Sequence, residues 1–391
     1  MFGSGENQKV YIRGAGILCT LGASQQQVAL ACQNGTIAPQ RIPAPQVCDT
    51  PIKYYRIGEH IHPARTRRLF EFMNYAVEQA MTDANLSTEE LARTAVFCGS
   101  TACDISDLEE HYAAALTQDP NAMALYRSGF GILAGYVRDK YRLGGEEYSF
   151  NTACSSSANA FVTAAQMVSS GDCDHALVLG VEVLNQMSLQ GFAAMMLLSQ
   201  DDIRPFDAGR NGTLLGEAVA CVVLSGKPAQ DSAFCRDQPF YFLGGANLCD
   251  TKSITSSNAD VIAQVMQRAL HSAGLKAGDI DAIKAHGTGT ENNDAAEAHA
   301  MQQVFTQHLP PFTSLKPYLG HTLGACGVVE MSVLLATIQQ GFIPKTPTFA
   351  ALDPQLGIEP LRDHGEFRQG NIMLNYFGFG GNNTSLILSN R

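Results

Sequence analysis

Along the chain, short runs rich in Val, Ile and Leu alternate with longer Ala-rich runs whose apolar positions recur at helical spacing. A short continuous apolar run reads as a strand buried on both faces, and a longer amphipathic run as a helix packed on it. The pattern predicts strands over Val10–Ile17, Thr94–Cys98, Tyr148–Asn151, His175–Val183 and Glu217–Leu224, with helices over Ser24–Asn34, Arg67–Asn85 and Ser155–Ser170. The polar, proline-bearing segment Gly226–Pro239 reads as a connection. Beyond it the alternation resumes, with strands over Tyr241–Asn247, Ile280–Lys284, Ile372–Asn375 and Thr384–Leu388 and helices over Asn258–Gly274, Asp294–Phe305 and Leu323–Gln340. Phe150-Asn151-Thr152-Ala153-Cys154 leads into one Ala-rich helix, and Pro311-Phe312-Thr313-Ser314-Leu315-Lys316 leads through a loop into another. That correspondence predicts an α/β protein of two related halves, 1–230 and 231–391, with helices sandwiched between buried sheets. The absence of a short tandem repeat excludes solenoids and propellers.

Composition sharpens this picture. Only 16% of the 391 residues are charged and 45% are apolar, so most of the chain must pack into compact structure. The 26 basic residues against 37 acidic ones leave a net charge of −11, which repels nucleic-acid phosphates and anionic lipid. The longest apolar candidate for a membrane span, Leu323 to Thr337, is interrupted by Glu330 and reads as a buried helix. The first residues, Met1 to Asn7, carry no secretory leader pattern. Eleven cysteines at irregular spacing, with no CxxC pair, fit neither a disulfide framework nor a zinc ribbon. Reduced thiols in the cytoplasm are the expectation.

Three residues stand out chemically. Cys154, in Asn151-Thr152-Ala153-Cys154-Ser155-Ser156-Ser157, joins a predicted strand to a predicted helix with only small neighbours, which leaves a nucleophile room to be approached. A helix N-terminus is expected to lower its pKa. His286, in Lys284-Ala285-His286-Gly287-Thr288-Gly289-Thr290, and His321, in Leu319-Gly320-His321-Thr322-Leu323-Gly324, sit in glycine-bearing loops where backbone can approach a ligand. Gly14-Ala15-Gly16 lacks the third glycine of a dinucleotide fingerprint, and neither a phosphate-binding GxxxxGK[ST] loop nor a GxSxG elbow occurs. His286, Glu291 and Asp294 are not accompanied by a zinc-binding pattern, so neither a metal nor another cofactor is expected.

Taken together, Thr152-Ala153-Cys154-Ser155-Ser156, Arg204-Pro205-Phe206-Asp207, His286-Gly287-Thr288-Gly289-Thr290, Lys316 to Gly327 with Glu330, and Asn375 to Asn383 resemble the β-ketoacyl-[acyl-carrier-protein] synthases, condensing enzymes of the thiolase superfamily. The resemblance implies a thiolase-like duplicated five-layered α-β-α-β-α sandwich, a dimer, and Cys154, His286 and His321 meeting in one pocket. It implies decarboxylative condensation of a Cys154-bound acyl group with malonyl-[acyl-carrier protein], in fatty-acid, polyketide or polyene synthesis. By the same resemblance the backbone amides of Cys154 and Phe379 form the oxyanion hole, and Phe379 gates the pocket. Thr288 and Thr290 bind the pantetheine arm, and Lys316 and Glu330 support His321. The basic cluster Arg65, Arg67 and Arg68 docks an acyl carrier protein.

The sequence also departs from the family. Gly216-Glu217-Ala218-Val219-Ala220 is poorer in glycine than its counterpart, Tyr376 and Asn382 replace the more usual Ser and Thr, and Met196 stands where many elongating synthases carry a carrier-binding arginine. The alternative reading is a non-condensing, chain-length-factor-like subunit of a heterodimeric ketosynthase. The intact set Cys154, His286, His321, Lys316 and Glu330 favours an active enzyme. An acyl tunnel is expected to draw on Thr101 to His111 and Met187 to Met196.

Overall fold

The computed structural model describes residues 8–42, 51–62, 67–118, 129–228 and 239–391. The strands of the main sheet are Val10–Cys19 (β1), Thr94–Gly99 (β2), Glu147–Phe150 (β3), His175–Glu182 (β4) and Ala218–Ser225 (β5), then Tyr241–Cys249 (β6), Ala282–Lys284 (β7), Phe312–Thr313 (β8), Asn371–Phe377 (β9) and Asn382–Ser389 (β10). They form one ten-stranded sheet in the order β8-β7-β9-β10-β6-β1-β5-β4-β2-β3. The order repeats: β1-β5-β4-β2-β3 in the first half matches β6-β10-β9-β7-β8 in the second. The pairing directions match too, with two antiparallel pairs followed by two parallel ones in each half. The halves meet where Val10 and Tyr11 pair with Phe242 and Tyr241. The expected dividing point at 230/231 lies outside the described residues.

The helices that matter here are Gln25–Gln33 (α1), Arg68–Ala84 (α2), Ile105–Gln118 (α3), Ile132–Tyr141 (α4), Ser156–Ser170 (α5), Gln186–Ala194 (α6), Ala259–Ser272 (α7), Glu291–Val304 (α8) and Cys326–Gln339 (α9). Strand alternation sorts them into layers. On β5, Ala218, Ala220, Val222 and Leu224 face one core with α1, α5 and α9, whereas Val219, Cys221 and Val223 face another with α2 and α4. On β9, Ile372, Leu374 and Tyr376 share the same central core, while Met373 and Phe377 pack with α7 and α8. The sequence of layers is therefore α2/α4, half-sheet, α1/α5/α9, half-sheet, α7/α8, the duplicated thiolase-like five-layered sandwich.

The central helix α9 is largely apolar on all sides because it has no solvent face. α9 is buried from Cys326 through Ile338. Gly327 lets α9 approach α5, since a Cβ there would lie 2.1 Å from the Ala158 nitrogen. The outer helix α2 shows the contrasting amphipathic pattern, burying Leu69, Phe72, Met73, Ala76 and Ala80 and ending at Asn85 in the left-handed conformation.

Candidate active site

The path from β3 into α5 makes a tight turn. Ala153 has φ of +51°, a conformation costly for a residue with a Cβ, and it directly precedes Cys154. Serines hold the turn: Ser155 Oγ donates to the Thr152 carbonyl at 2.8 Å, and Ser156 Oγ donates to the Ala153 carbonyl at 2.6 Å. The turn aims the Cys154 thiol into a cavity of about 640 Å³ also lined by His286, His321, Thr288, Thr290 and Phe379. Cys154 is only 6% exposed. Its pKa is accordingly pushed up from the ordinary 9.0 to about 11, because burial outweighs the Lys316 charge and the backbone N–H groups of Phe379 and Cys154 that act on the sulfur. The lowering expected from the helix terminus is thus overturned by desolvation. Those same two amides are the pair expected to form the oxyanion hole.

His286 follows the end of β7, and His321 follows the one-turn helix Lys316–Leu319, so both come from the second half of the fold. His321 Nε2 lies 3.1 Å from Cys154 Sγ. Its Nδ1 accepts the Leu323 N–H at 3.2 Å, which leaves the ring proton on Nε2. His286 Nδ1 faces Lys316 Nζ at 3.3 Å, and an ammonium can only donate, so this ring also carries its proton on Nε2. Burial, with the lysine charges adding to it, pushes both imidazoles well below the usual histidine range. The two rings, 5.4 Å apart and nearly perpendicular, are neutral N–H donors.

Behind them, Lys316 donates to the His286 carbonyl at 2.7 Å and to Glu330 Oε1 at 2.8 Å. This corrects the expectation that Lys316 supports His321: Lys316 follows β8, which pairs with β7, the strand leading to His286. Burial opposes charge on Lys316 and Glu330 alike, yet the attraction of Glu330 raises the lysine, and the charges of Lys284 and Lys316 together lower the acid. A second buried lysine, Lys284, reaches Glu330 Oε2 at 2.5 Å.

Phe379 is followed by Gly380 and Gly381, both at positive φ. The Phe379 ring stacks on Phe192 of α6 at 5.9 Å. Thr288 and Thr290 line the cavity and share a hydrogen bond of 2.8 Å. Met195 and Met196 also line it, and Met196 is 88% exposed, so this methionine stretch reaches the pocket mouth. None of Thr101 to His111 lines this cavity.

Arg65 lies outside the described residues. Arg67 occupies the position just before α2, and its half-exposed side chain pairs with Asp107 of α3 at 3.0 Å. Arg68 instead turns inward to the buried Glu217 at 2.7 Å, so the pair does not present one continuous basic face.

Several working residues escaped the sequence reading. Glu297 accepts the His286 and Gly287 N–H groups, and Asp294 accepts those of Thr288, Gly289 and Phe206, so two buried carboxylates on α8 clasp the histidine loop. From sequence Asp294 is weighed only as a metal ligand, and Glu297 is not singled out. Lys284 and Phe192 were likewise passed over, although a charge ending an apolar strand is a readable signal. Donor atoms of Cys154, His286 and His321 lie within 4.8 Å of one another, a spacing that could take a metal by distance alone. The Lys316 ammonium beside His286 opposes a further cation there.

The layered fold and the Cys-His-His pocket define a thiolase-like condensing scaffold. Residues 59–229 match the β-ketoacyl synthase N-terminal domain and residues 244–350 its C-terminal domain. A mitochondrial 3-oxoacyl-[acyl-carrier-protein] synthase of Arabidopsis thaliana is 30% identical over 355 residues, covering 83% of this chain and 76% of that protein. The 3-oxoacyl-[acyl-carrier-protein] synthase 2 of Coxiella burnetii is 29% identical over 412 residues, covering 98% and 99%. A solved ketosynthase in complex with its chain length factor, from Xenorhabdus doucetiae, superposes with a TM-score of 0.84 at 25% identity, covering 100% of each chain. The chain belongs to the β-ketoacyl synthase family. Among the described residues, no helix is long and apolar enough to cross a membrane.

Proposed function

We propose that this protein is an elongating β-ketoacyl-[acyl-carrier-protein] synthase, an acyltransferase that joins a Cys154-bound acyl group to a malonyl unit. The observation that carries the reading is the convergence of the Cys154 thiol with two imidazoles, within 4.8 Å, at the cavity that also holds Thr288, Thr290 and Phe379. Cys154 Sγ attacks the acyl thioester carbonyl, and the oxyanion takes the Cys154 and Phe379 amides. Both nearby imidazole nitrogens already carry protons, so the thiol proton leaves with the departing pantetheine thiol. Malonyl thioester then enters; its C–C bond to the carboxylate breaks, CO₂ departs, and the electron pair forms an enolate. The Nε2–H groups of His286 and His321 stabilise that enolate oxygen. Its carbon attacks the acyl carbonyl, and the Cys154–acyl bond breaks to give a β-ketoacyl thioester two carbons longer, the released thiolate taking up a proton.

The same proposal includes two structural units, 1–230 and 231–391, supported by the repeated strand order. It includes pantetheine contacts from Thr288 and Thr290, gating by Phe379 against Phe192, and docking of an acidic carrier at Arg67. Assembly as a homodimer, or as a heterodimer with a second ketosynthase-like chain, and action in the cytoplasm complete it. The test is incubation of the purified chain with acyl-carrier and labelled malonyl-carrier. An acyl adduct on Cys154 followed by CO₂ release and a β-ketoacyl product is the expected result; CO₂ release without any acyl adduct would favour the non-condensing reading.

A further inference from the structure

One buried lysine, Lys316, stands behind His286, and the fold contains a second beside it. Lys284 ends β7; Ala282 of that strand packs in the central core and Ile283 in the outer one, so alternation turns Lys284 toward α9. It is completely buried. Its Nζ donates to Glu330 Oε2 at 2.5 Å and to the Asn375 carbonyl at 2.6 Å, and lies 3.6 Å from the centre of the Tyr376 ring. Tyr376 is itself buried, and its hydroxyl donates to the Gly327 carbonyl on α9 at 2.9 Å. An apolar side chain would span strand and helix without the penalty of burying an ammonium, so the amine needs a reason.

Glu330 supplies one. Each of its oxygens is held by a different lysine, Oε1 by Lys316 and Oε2 by Lys284. The carboxylate cannot turn without breaking a charged hydrogen bond. Lys316 in turn bonds both the carbonyl and the Nδ1 of His286, which fixes the ring proton on Nε2. The chain of contacts from Lys284 therefore ends on the histidine tautomer that the decarboxylation step requires.

We infer that Lys284 is a positioning residue for decarboxylation: by holding Glu330 Oε2 it fixes Lys316 against His286, so that His286 presents Nε2–H to the enolate oxygen. The inference rests on the functional reading given above. It separates the two half-reactions, because the route from Lys284 leads to His286 and not to the amides that serve acyl loading.

Lys284→Met, Glu330→Gln and the double variant test it in the full chain. Acyl loading of Cys154 is read by intact-protein mass, CO₂ release from malonyl-pantetheine thioester by label, and ring tautomers by NMR of protein carrying ¹⁵N-histidine. Lys284→Met is expected to lower the maximal rate of CO₂ release about tenfold or more, with KM and acyl loading within about twofold. The His286 resonances should move toward mixed tautomers. In the Glu330→Gln background, removing Lys284 should add little, because the effect passes through Glu330. Retained loading shows that the site is folded. Unchanged CO₂ release and unchanged ring nitrogens, parallel loss of both half-reactions, or fully additive losses in the double variant would each overturn the inference. A wild type that neither loads nor decarboxylates would instead overturn the functional reading, and the ring-nitrogen measurement would still decide how Lys284 acts on His286.

Discussion

Equivalent connections in the two halves of the fold have opposite chemistry. In the first half, β3 passes into α5 through a tight turn of Thr152 to Ser155, held by neutral hydroxyls and carrying the thiol. In the second, the path from β8 to α9 expands into the one-turn helix Lys316–Leu319 and the 3-10 turn Leu323–Ala325, and carries Lys316 and His321. The expansion gives the second half room for charge. On the proposed reading, the repeated scaffold draws a nucleophile from one connection and an electrostatic device from the other. On that reading the first carries the covalent chemistry in a turn whose own side chains are neutral, and the second manages protons and charge without a covalent step.

The sharpest way to break that comparison is to delete each half's contribution. Cys154→Ala should abolish acyl loading outright while leaving the fold intact, because the residue sits at a cavity wall and its neighbours are small. A persistent acyl adduct by intact-protein mass spectrometry would remove Cys154 from the reaction. His286→Ala and His321→Ala should each slow CO₂ release about 10²- to 10³-fold, the usual loss on removing an oxyanion donor, and slow acyl loading much less. Timing the two half-reactions separately checks this, and equal losses in both would contradict the division.

Stability should show the same asymmetry. Glu330→Ala leaves two buried ammonium groups without their carboxylate and should cost about 3–5 kcal/mol, the usual penalty for breaking a buried ion pair. Its neutral counterpart is Ser157→Ala on α5, which removes only the acceptor for the Val328 N–H and should cost about 1 kcal/mol. Urea unfolding of both variants measures the difference, and comparable losses would mean that the charged connection is not special.

A smaller effect concerns pH. The Cys154 thiol is held above its ordinary 9.0, at about 11, so the neutral form dominates at physiological pH and the stability due to that form is present below about 9 and lost as pH rises through about 11. Alkylation of Cys154, followed at its own peptide, should accelerate about tenfold per pH unit through the neutral and moderately alkaline range and level off only near 11. A plateau near pH 7 would show that the amides and Lys316 outweigh burial after all.

Much of the scaffold was legible because strand and helix periodicities are local. The predicted strand over His175–Val183 and helix over Ser155–Ser170 fall within a residue of β4 and α5. What the chain hides is depth. Helix α6 was missed because most of its residues remain partly exposed and Gln186-Met187-Ser188 gives little apolar period, although its Phe192 reaches the site. Burial also reversed the expected direction at Cys154, since a helix terminus can be read from sequence and the layers above it cannot. Lys316 was seen but joined to the wrong histidine, because its partner is set by the β7–β8 pairing and not by nearness along the chain.

The weakest expected effect lies at the pocket mouth, where the two halves contribute unequally to a partner's approach. Met196 is 88% exposed, beside the cavity, with a backbone φ of +55°. Among the described residues no lysine or arginine lines that cavity, and Glu291 does, so an acidic carrier meets no cation from that lining. The half-exposed Arg67 is already paired with Asp107, which offsets its charge. Met196→Arg should therefore lower the apparent KM for acyl-carrier about two- to fivefold, the range of one exposed charge pair, and the gain should vanish at high salt. Arg67→Glu should raise the same KM by a similar factor, with kinetics on small pantetheine thioesters unchanged in both variants. If Met196→Arg altered small-thioester turnover as strongly as carrier turnover, the residue would be shaping the pocket itself; if neither variant moved the carrier KM, docking would fall to a surface supplied by a second subunit.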